Sequence, residues 1–387
     1  MNRSTAILQK GFRPFFILAA VFAAIYLPIW LTVLEGAMGV QTHWSGPLWH
    51  GHEMIYGFTV AVLAGFLLTA VSNWTGRDTA TGWLLAGLAA LWVAGRIAIA
   101  GSAYLPPVVV AVVDLLFVPA LAATIGRCLV GTKNRRNYVF LLVLGLLFTA
   151  NLLMHLDVMG VVENLAQPAL TAAVDLIIVI ALLIGGRIIP MFTRNATGDE
   201  TIRSHPWIER SLFPVVIAAS VAWQVAPSSP ITSVLAFVAG GLALGRMTHW
   251  GFGNTLKSPI LWVLHVGYAW IGIGLVLRGF AVFGAVPPTS ATHALTAGAI
   301  GTLTLGMMAR VARGHTAREL RVEAVTGLAF VAVTFAAVVR VAVPILAPDV
   351  YMAAMIVSGV SWAAAFAVYL AKYTPILWKP RVDGRPG

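Results

Sequence analysis

Residues 49–71 read WHGHEMIYGFTVAVLAGFLLTAV, and this stretch decides the fold class. It holds one formal charge, Glu53, and nearly all of its other residues are apolar or weakly polar. A helix needs about 20 mostly apolar residues to cross the hydrocarbon core of a bilayer. The stretch therefore predicts a membrane-spanning helix that carries two histidines and a glutamate at one end.

The composition of the whole chain agrees with this prediction. Of its 387 residues, 59% are hydrophobic and only 10% are charged, whereas about 25% of an average soluble domain is charged. This charge is too sparse to cover a soluble surface, which excludes a cytosolic enzyme and a disordered chain. A single cysteine, Cys128, excludes internal disulfides and cysteine-based zinc or iron–sulfur sites.

The apolar runs predict an all-α membrane protein with twelve transmembrane helices. We expect residues 1–387 to form a single polytopic transmembrane domain, because no segment between runs is long enough for a soluble domain. The predicted runs are 15–35, 50–72, 82–100, 106–128, 138–156, 168–190, 211–226 (the weakest), 231–250, 259–281, 290–311, 323–343 and 350–373.

The basic residues predict the orientation of these helices. If the N-terminus is cytoplasmic and the runs alternate, the outer side receives only Arg96, Arg278 and Arg340 of the 25 Lys and Arg residues. Cytoplasmic loops are enriched in Lys and Arg, so the pattern favours cytoplasmic locations for both termini. The same enrichment accounts for the net charge of +11 without a nucleic-acid partner.

The most concentrated polar chemistry lies at His50, His52, Glu53 and Tyr56. Residues two apart on a helix point about 200° apart, so two helical histidines at this spacing would serve different centres. If His50 precedes the first helical turn, one shared metal becomes feasible. Glu53 shares a face with His50, and Tyr56 shares a face with His52. We expect Glu53 and Tyr56 to take part in catalysis, the former by orienting an imidazole or relaying protons.

Ionisable residues elsewhere in the spans are further candidates, because charge inside a bilayer is costly and often functional. His293 opens the tenth run at a depth similar to that of His52, and Gly298 and Gly301 below it would leave room for a flat cofactor. His265 lies deeper, and His315 lies in a basic cytoplasmic turn, about 33 Å from His293. Asp114 and Asp175 are candidates for proton steps or for pairing with arginine. We interpret His43, His155, His205 and His249 as structural or solvated.

Several motifs resemble the NnrS family, in order along nearly the whole chain. The resemblance implies a multi-pass protein of the bacterial inner membrane that contains haem and copper and acts in nitric oxide metabolism, denitrification and resistance to nitrosative stress. It implies metal sites at His50, His52, His265, His293 and His315. The motifs are Gly11-Phe-Arg-Pro-Phe-Phe16, Trp49-His-Gly-His-Glu-Met54, Gly65-Phe-Leu-Leu-Thr-Ala70, Asn73-Trp-Thr-Gly76, Gly186-Arg-Ile-Ile-Pro190, Trp262-Val-Leu-His265 with Tyr268, His293-Ala-Leu-Thr-Ala-Gly298, Met307-Met-Ala-Arg310 and Gly314-His-Thr316.

Haem would be held by the histidines His50, His52, His265 and His293. Arg96, Arg278 and Arg340 would bind its propionates, unless they extend to lipid headgroups instead. Which histidines bind haem and which bind copper stays open.

Three functions fit this cofactor set. The first is an oxidoreductase of the nitric oxide reductase type. It would need quinol or another electron donor, because the chain has no Cys-x-x-Cys-His haem motif. The second is transport or delivery of haem or copper. The third is a sensor that binds nitric oxide without turnover.

Overall fold

A computed structural model describes residues 6–385, and this part of the chain is helical, with no β-strand. Its principal helices are numbered here in chain order. They are α1 Phe12–Leu34, α2 Gly46–Thr75, α3 Gly82–Ala100, α4 Pro107–Gly131, α5 Arg135–Val158, α6 Ala166–Thr197, α7 Pro206–Val225, α8 Pro230–Gly245, α9 Pro259–Val282, α10 Pro288–His315, α11 Ala324–Leu346 and α12 Pro348–Trp378.

Eleven of these helices are long and apolar enough to cross a membrane, and α8 is shorter, with 16 residues. Each predicted run overlaps one helix, but the eighth run was predicted to reach residue 250 and α8 ends at Gly245. It ends there because Arg246 turns into the protein and pairs with Glu209. The chain then turns at Gly251, whose φ is +70°. Twelve crossings and cytoplasmic ends stay predictions.

The described residues form two compact units. The first unit contains the described chain up to Leu176, the segment Met308–Glu319 and the described residues from Tyr369 onward. The second unit contains Ile177–Met307 and Leu320–Val368.

In the first unit, α1 packs closely on α2. A Cβ atom at Gly65 would lie 2.8 Å from the ring of Phe16, and one at Gly11 would lie 2.4 Å from Leu68. Small residues let apolar helices approach each other where lipid supplies no hydrophobic driving force. The Gly11 and Gly65 motifs therefore contribute to helix packing.

In the second unit, α8 and α9 cross with their backbones in contact. A Cβ atom at Gly240 would lie 2.8 Å from the carbonyl oxygen of Gly272, and one at Gly272 would lie 3.1 Å from the carbonyl oxygen of Gly240. Neither position has space for a larger side chain. This reciprocal contact fixes the two helices against each other.

Two helices change from α to π geometry directly after a histidine. In α2 the π segment is Glu53–Thr59 and follows His52. In α10 it is Ala294–Gly301 and follows His293. π-Helical turns are rare and occur frequently at functional sites. The two π segments therefore favour a functional site at the start of each of these spans.

Candidate functional site

The start of α2 brings His52 and Glu53 into the protein interior together. His52 is 0% exposed and Glu53 is 3% exposed. His52 Nδ1 lies 3.0 Å from Glu53 Oε1. The hydroxyl of Thr59 donates to the carbonyl of Met54 across the π segment, over 2.7 Å. The imidazole and the carboxylate of two successive residues therefore form one hydrogen-bonded pair.

Asp114 of α4 is the centre of a larger polar cluster. Asn151 Nδ2 donates to Asp114 Oδ2 over 2.7 Å, and His155 Nε2 lies 3.1 Å from the same oxygen. His52 Nε2 lies 3.3 Å from it and 2.9 Å from Asn151 Oδ1. The cluster therefore joins α2, α4 and α5 at one carboxylate oxygen.

Arg96 of α3 completes the cluster by bridging its two acids. Its guanidinium donates to both Glu53 and Asp114, and its side chain is only 10% exposed. Gly95 makes this approach feasible, because a Cβ atom there would lie 3.2 Å from Asp114 Oδ1. Breaking a buried ion pair by removing one partner is strongly destabilising, so these groups are coupled in stability.

The hydrogen bonds of His52 indicate what its ring can bind. Nδ1 faces the Glu53 carboxylate, and Nε2 faces oxygen atoms of Asn151 and Asp114. Acceptors at both nitrogens fit an imidazole that carries two protons, or one whose Nε2 binds a metal cation in place of a proton. The Glu53 contact is the carboxylate–histidine arrangement that orients metal ligands in proteins.

The cluster also has the dimensions of a metal site. The ligand atoms of His52, Asp114 and His155 all lie within 4.8 Å of one another, and all three residues are buried. Metal–ligand bonds to imidazole and carboxylate are about 2.0–2.2 Å long, so only small shifts are needed to enclose an ion. Two imidazoles and one carboxylate suit zinc, copper or iron.

A small cavity adjoins the cluster and accommodates about one water molecule. A diatomic molecule such as nitric oxide is of similar size, whereas a porphyrin is far larger. The cavity therefore fits a small ligand beside the cluster, not a haem. Its lining residues are Tyr56, Trp92, Gly95, Arg96, Asp114, Phe117, Val118 and Asn151.

His50 and His52 face different surroundings, as expected from a spacing of two residues. The His50 ring stacks on Trp30 of α1, with centroids 4.5 Å apart and an angle of 9°, and lies parallel to Tyr26 at 6.1 Å. The Tyr56 ring lies 4.9 Å from His52, as its spacing predicts. Its hydroxyl donates to the carbonyl of Leu147 over 3.0 Å.

Three predicted metal ligands have other contacts. His293 Nδ1 donates to the carbonyl of Thr289 over 2.7 Å, a contact that metal-binding histidines in general also make. His265 Nδ1 lies 3.2 Å from the carbonyl of Leu261, and its Nε2 lies 3.3 Å from the carbonyl of Trp250. The ring of His315 packs on Phe12 at 5.6 Å.

Tryptophan rings occupy the space below His293 where two glycines were predicted to leave room for a flat cofactor. A Cβ atom at Gly298 would lie 2.6 Å from the ring of Trp270, and one at Gly301 would lie 2.0 Å from the ring of Trp362. Both glycines therefore accommodate tryptophan rings.

Arg278 and Arg340, the two arginines of the second unit that were predicted for the outer side, lie over aromatic rings. The Arg278 guanidinium lies 5.4 Å from the ring centroid of Trp223, and that of Arg340 lies 5.9 Å from the ring of Tyr351. Arg96 differs from both, because it pairs with two carboxylates. Asp175 is buried in the first third of α6, and the cluster contacts described above do not include it.

Asn151 and His155 are the cluster residues that sequence reasoning missed. His155 was interpreted as structural or solvated, and it is 3% exposed and bound to Asp114. The two residues lie four apart on α5 and therefore share one helix face. The Asn151 amide and the His155 imidazole share one face of an otherwise apolar span. This pattern in the sequence predicts a polar site on that face.

The fold and the cluster define a multi-span helical membrane protein with a buried histidine–carboxylate centre. The chain belongs to the NnrS family, described as NnrS protein, whose match covers residues 6–381. This confirms the resemblance seen in the sequence and links the chain to nitric oxide metabolism. No curated protein matches the chain.

Proposed function

We propose that the chain is a membrane haem–copper protein that binds nitric oxide and removes it, by reduction, in denitrification or defence against nitrosative stress. The observation that carries the proposal is the geometry at Asp114. Two imidazoles approach one carboxylate oxygen beside a cavity that admits a small molecule. Nitric oxide is small and partitions into lipid, so a buried intramembrane centre suits it.

In this proposal a transition metal, most simply copper, binds to His52, Asp114 and His155. The donor set fits such an ion, because two imidazole nitrogens and a carboxylate oxygen already lie within 4.8 Å of one another. When bound, the metal would supply a coordination position for nitric oxide and a route for electrons. Glu53 orients His52 through Nδ1, and Arg96 balances the charge of Glu53 and Asp114.

The chain's own residues also suit proton supply to the cavity. Asp114, Arg96 and Asn151 line it, and Asp114 is hydrogen-bonded to His155. Reduction of nitric oxide consumes protons as well as electrons, and Asp114 with its partner His155 supplies ionisable groups beside the cavity. Electrons would come from quinol or another donor.

In this proposal His50 and His293 are each candidates to hold haem iron, which would supply a further position for nitric oxide when bound. The contact of His293 Nδ1 with the Thr289 carbonyl fits such a ligand, because it fixes the tautomer that leaves Nε2 to face a metal. His265 and His315 are the weaker candidates, since His265 contacts backbone carbonyls at both ring nitrogens. Arg278 and Arg340 stay candidates for the propionates.

The test is metal analysis and an optical spectrum of the detergent-purified protein, before and after addition of nitric oxide. We expect bound iron and copper, a Soret band that shifts with nitric oxide, and consumption of more than one nitric oxide per haem. Consumption that stops at one equivalent would indicate a sensor. A protein that retains neither metal would contradict the proposal and favour transport.

A further inference from the structure

Arg13, in the motif Gly11-Phe-Arg-Pro14, is completely buried near the start of α1. Its Nη1 donates to the carbonyl oxygens of Leu377 over 2.6 Å and of Lys379 over 2.7 Å. These carbonyls lie at the end of α12 and just beyond it. One nitrogen of the guanidinium therefore holds the C-terminal segment against α1.

The other two nitrogens of Arg13 have no hydrogen-bond partner within residues 6–385. Nε and Nη2 are both buried, and no carboxylate of this part of the chain pairs with Arg13. Guanidinium stays charged in proteins. A buried donor without an acceptor costs the full desolvation penalty of that group, and the cost is greater for a charged group. Residues 6–385 therefore supply no anion to the two free nitrogens of this arginine.

The surroundings of Arg13 are cationic rather than acidic. Arg318 and Arg381 lie close enough to interact with it electrostatically, and both are partly exposed. Burial and the neighbouring Arg313 lower the pKa of Arg318, as expected where cations crowd together.

Two acids of the chain segments around Arg13 are already paired with other cations. Asp383 accepts from Arg381 at 2.9 Å and 2.7 Å, and this pairing lowers the pKa of its carboxyl to about 2. Asp78 pairs with Lys10 at 3.1 Å. No ion pair joins Arg13 or Arg318 to a carboxylate within residues 6–385.

We propose that Arg13 and Arg318 form a binding site for a phosphate-type oxyanion, to which Arg381, already hydrogen-bonded to Asp383 and to the carbonyl of His315, adds positive charge rather than a hydrogen bond. Nε and Nη2 lie on one edge of the guanidinium plane, which is the geometry that binds two oxygens of one phosphate. The N-terminal end of α1 adds positive partial charge at the same place. The oxyanion is either the headgroup of an anionic phospholipid or free phosphate, because both present the same oxygens.

The first experiment measures thermal unfolding of the full-length protein in an uncharged detergent as phosphate is added at constant ionic strength. A specific site predicts a saturable rise in the unfolding temperature with phosphate and none with chloride. Arg13→Gln should abolish the rise, and Arg318→Gln or Arg381→Gln should weaken the apparent affinity by about tenfold. Arg135→Gln is the matched control, because Arg135 is exposed on another turn.

The second experiment identifies the source of the oxyanion by native mass spectrometry with added phosphatidylglycerol. A retained lipid that is lost in Arg318→Gln but kept in Arg135→Gln, with no response to phosphate, assigns the site to a lipid headgroup. If Arg13→Gln does not fold, the Arg318→Gln and Arg381→Gln variants test the proposal instead, because both of these residues are partly exposed. A wild-type protein that responds to neither ligand, or Arg318 and Arg381 variants that respond like the wild type, would overturn the proposal.

Discussion

Asn151 and Asp114 form the hydrogen bond that orders the polar cluster, with Asn151 Nδ2 donating to Asp114 Oδ2 over 2.7 Å. This bond fixes the orientation of the Asn151 amide. Its oxygen therefore faces His52 Nε2, at 2.9 Å. Asn151 thus positions both the carboxylate and one imidazole without needing to bind a metal itself.

Replacement of Asn151 tests this positioning role. Asn151→Leu should weaken copper retention by about 10–100-fold, because residues that orient metal ligands typically contribute that much to affinity. The measurement is bound copper after dialysis against graded chelator. His52→Ala and His155→Ala should lose copper altogether, while His205→Ala, a change on another part of the chain, should leave it intact. Equal retention in Asn151→Leu and wild type would remove Asn151 from the site.

Arg96 should be essential for the stability of the first unit. Arg96→Gln leaves Glu53 and Asp114 buried without their cation, and we expect a loss of about 3–5 kcal/mol in the free energy of unfolding. Adding Glu53→Gln to this variant should restore part of the loss, since one of the two uncompensated charges disappears. Both are measured by denaturant unfolding in detergent micelles, with Arg135→Gln as the control. An additive double variant would show that Arg96 and Glu53 are not coupled.

Substitution of Gly301 tests whether this glycine serves helix packing or cofactor binding. Gly301→Ala places a Cβ atom 2.0 Å from the Trp362 ring. We expect the protein to lose about 1–3 kcal/mol of stability through overpacking, with its haem content unchanged. Gly241→Ala is the control, because nothing lies within 4 Å of a Cβ atom there. Loss of haem at unchanged stability would instead return Gly301 to the cofactor site.

Substitutions of the individual histidines should have different effects on the haem spectrum. His293→Ala should bleach or shift the Soret band, and His50→Ala should do so if its aromatic stack holds the haem. His315→Ala should spare the haem, because the ring packs on Phe12 at 5.6 Å, in a basic segment. Spectra and iron content are compared at equal protein concentration. A His315 variant without a Soret band would contradict the assignment.

The sequence predicted the helices well because burial in lipid requires long apolar runs. Eleven of the predicted runs correspond to helices able to span a membrane. The eighth was overextended because Arg246, which ends α8, is buried by pairing with Glu209, a tertiary contact that hydropathy does not encode. The contact between Gly240 and Gly272 was not predicted, since it depends on the crossing of α8 and α9.

The polar cluster was predicted in part. His52, Glu53, Arg96 and Asp114 stood out as ionisable residues in apolar spans, and the structure brings all four together. Their mutual partners depend on how α2, α3, α4 and α5 pack, which no local pattern determines. His155 was missed because its interpretation treated it alone rather than with Asn151 one turn earlier.

The π segments were not predicted, because helix-face arguments assume 3.6 residues per turn. A regular spacing nevertheless marks them. A glycine follows each histidine by five residues and another by thirteen: Gly57 and Gly65 after His52, and Gly298 and Gly306 after His293. The starts of α2 and α10 therefore share the same spacing of histidine and glycine residues in the sequence.

The π segment of α2 makes the cluster sensitive to chain length. A π turn contains one residue more than an α turn, so deletion of one residue after Glu53, from positions 54–59, would allow the segment to become α-helical. The part of the helix that carries His52 would then rotate by about 100° relative to the rest of the span. His52 would turn away from Asp114 although every histidine and acid of the cluster would still be encoded. A sequence could therefore keep all of these residues and lose the centre through a single missing codon.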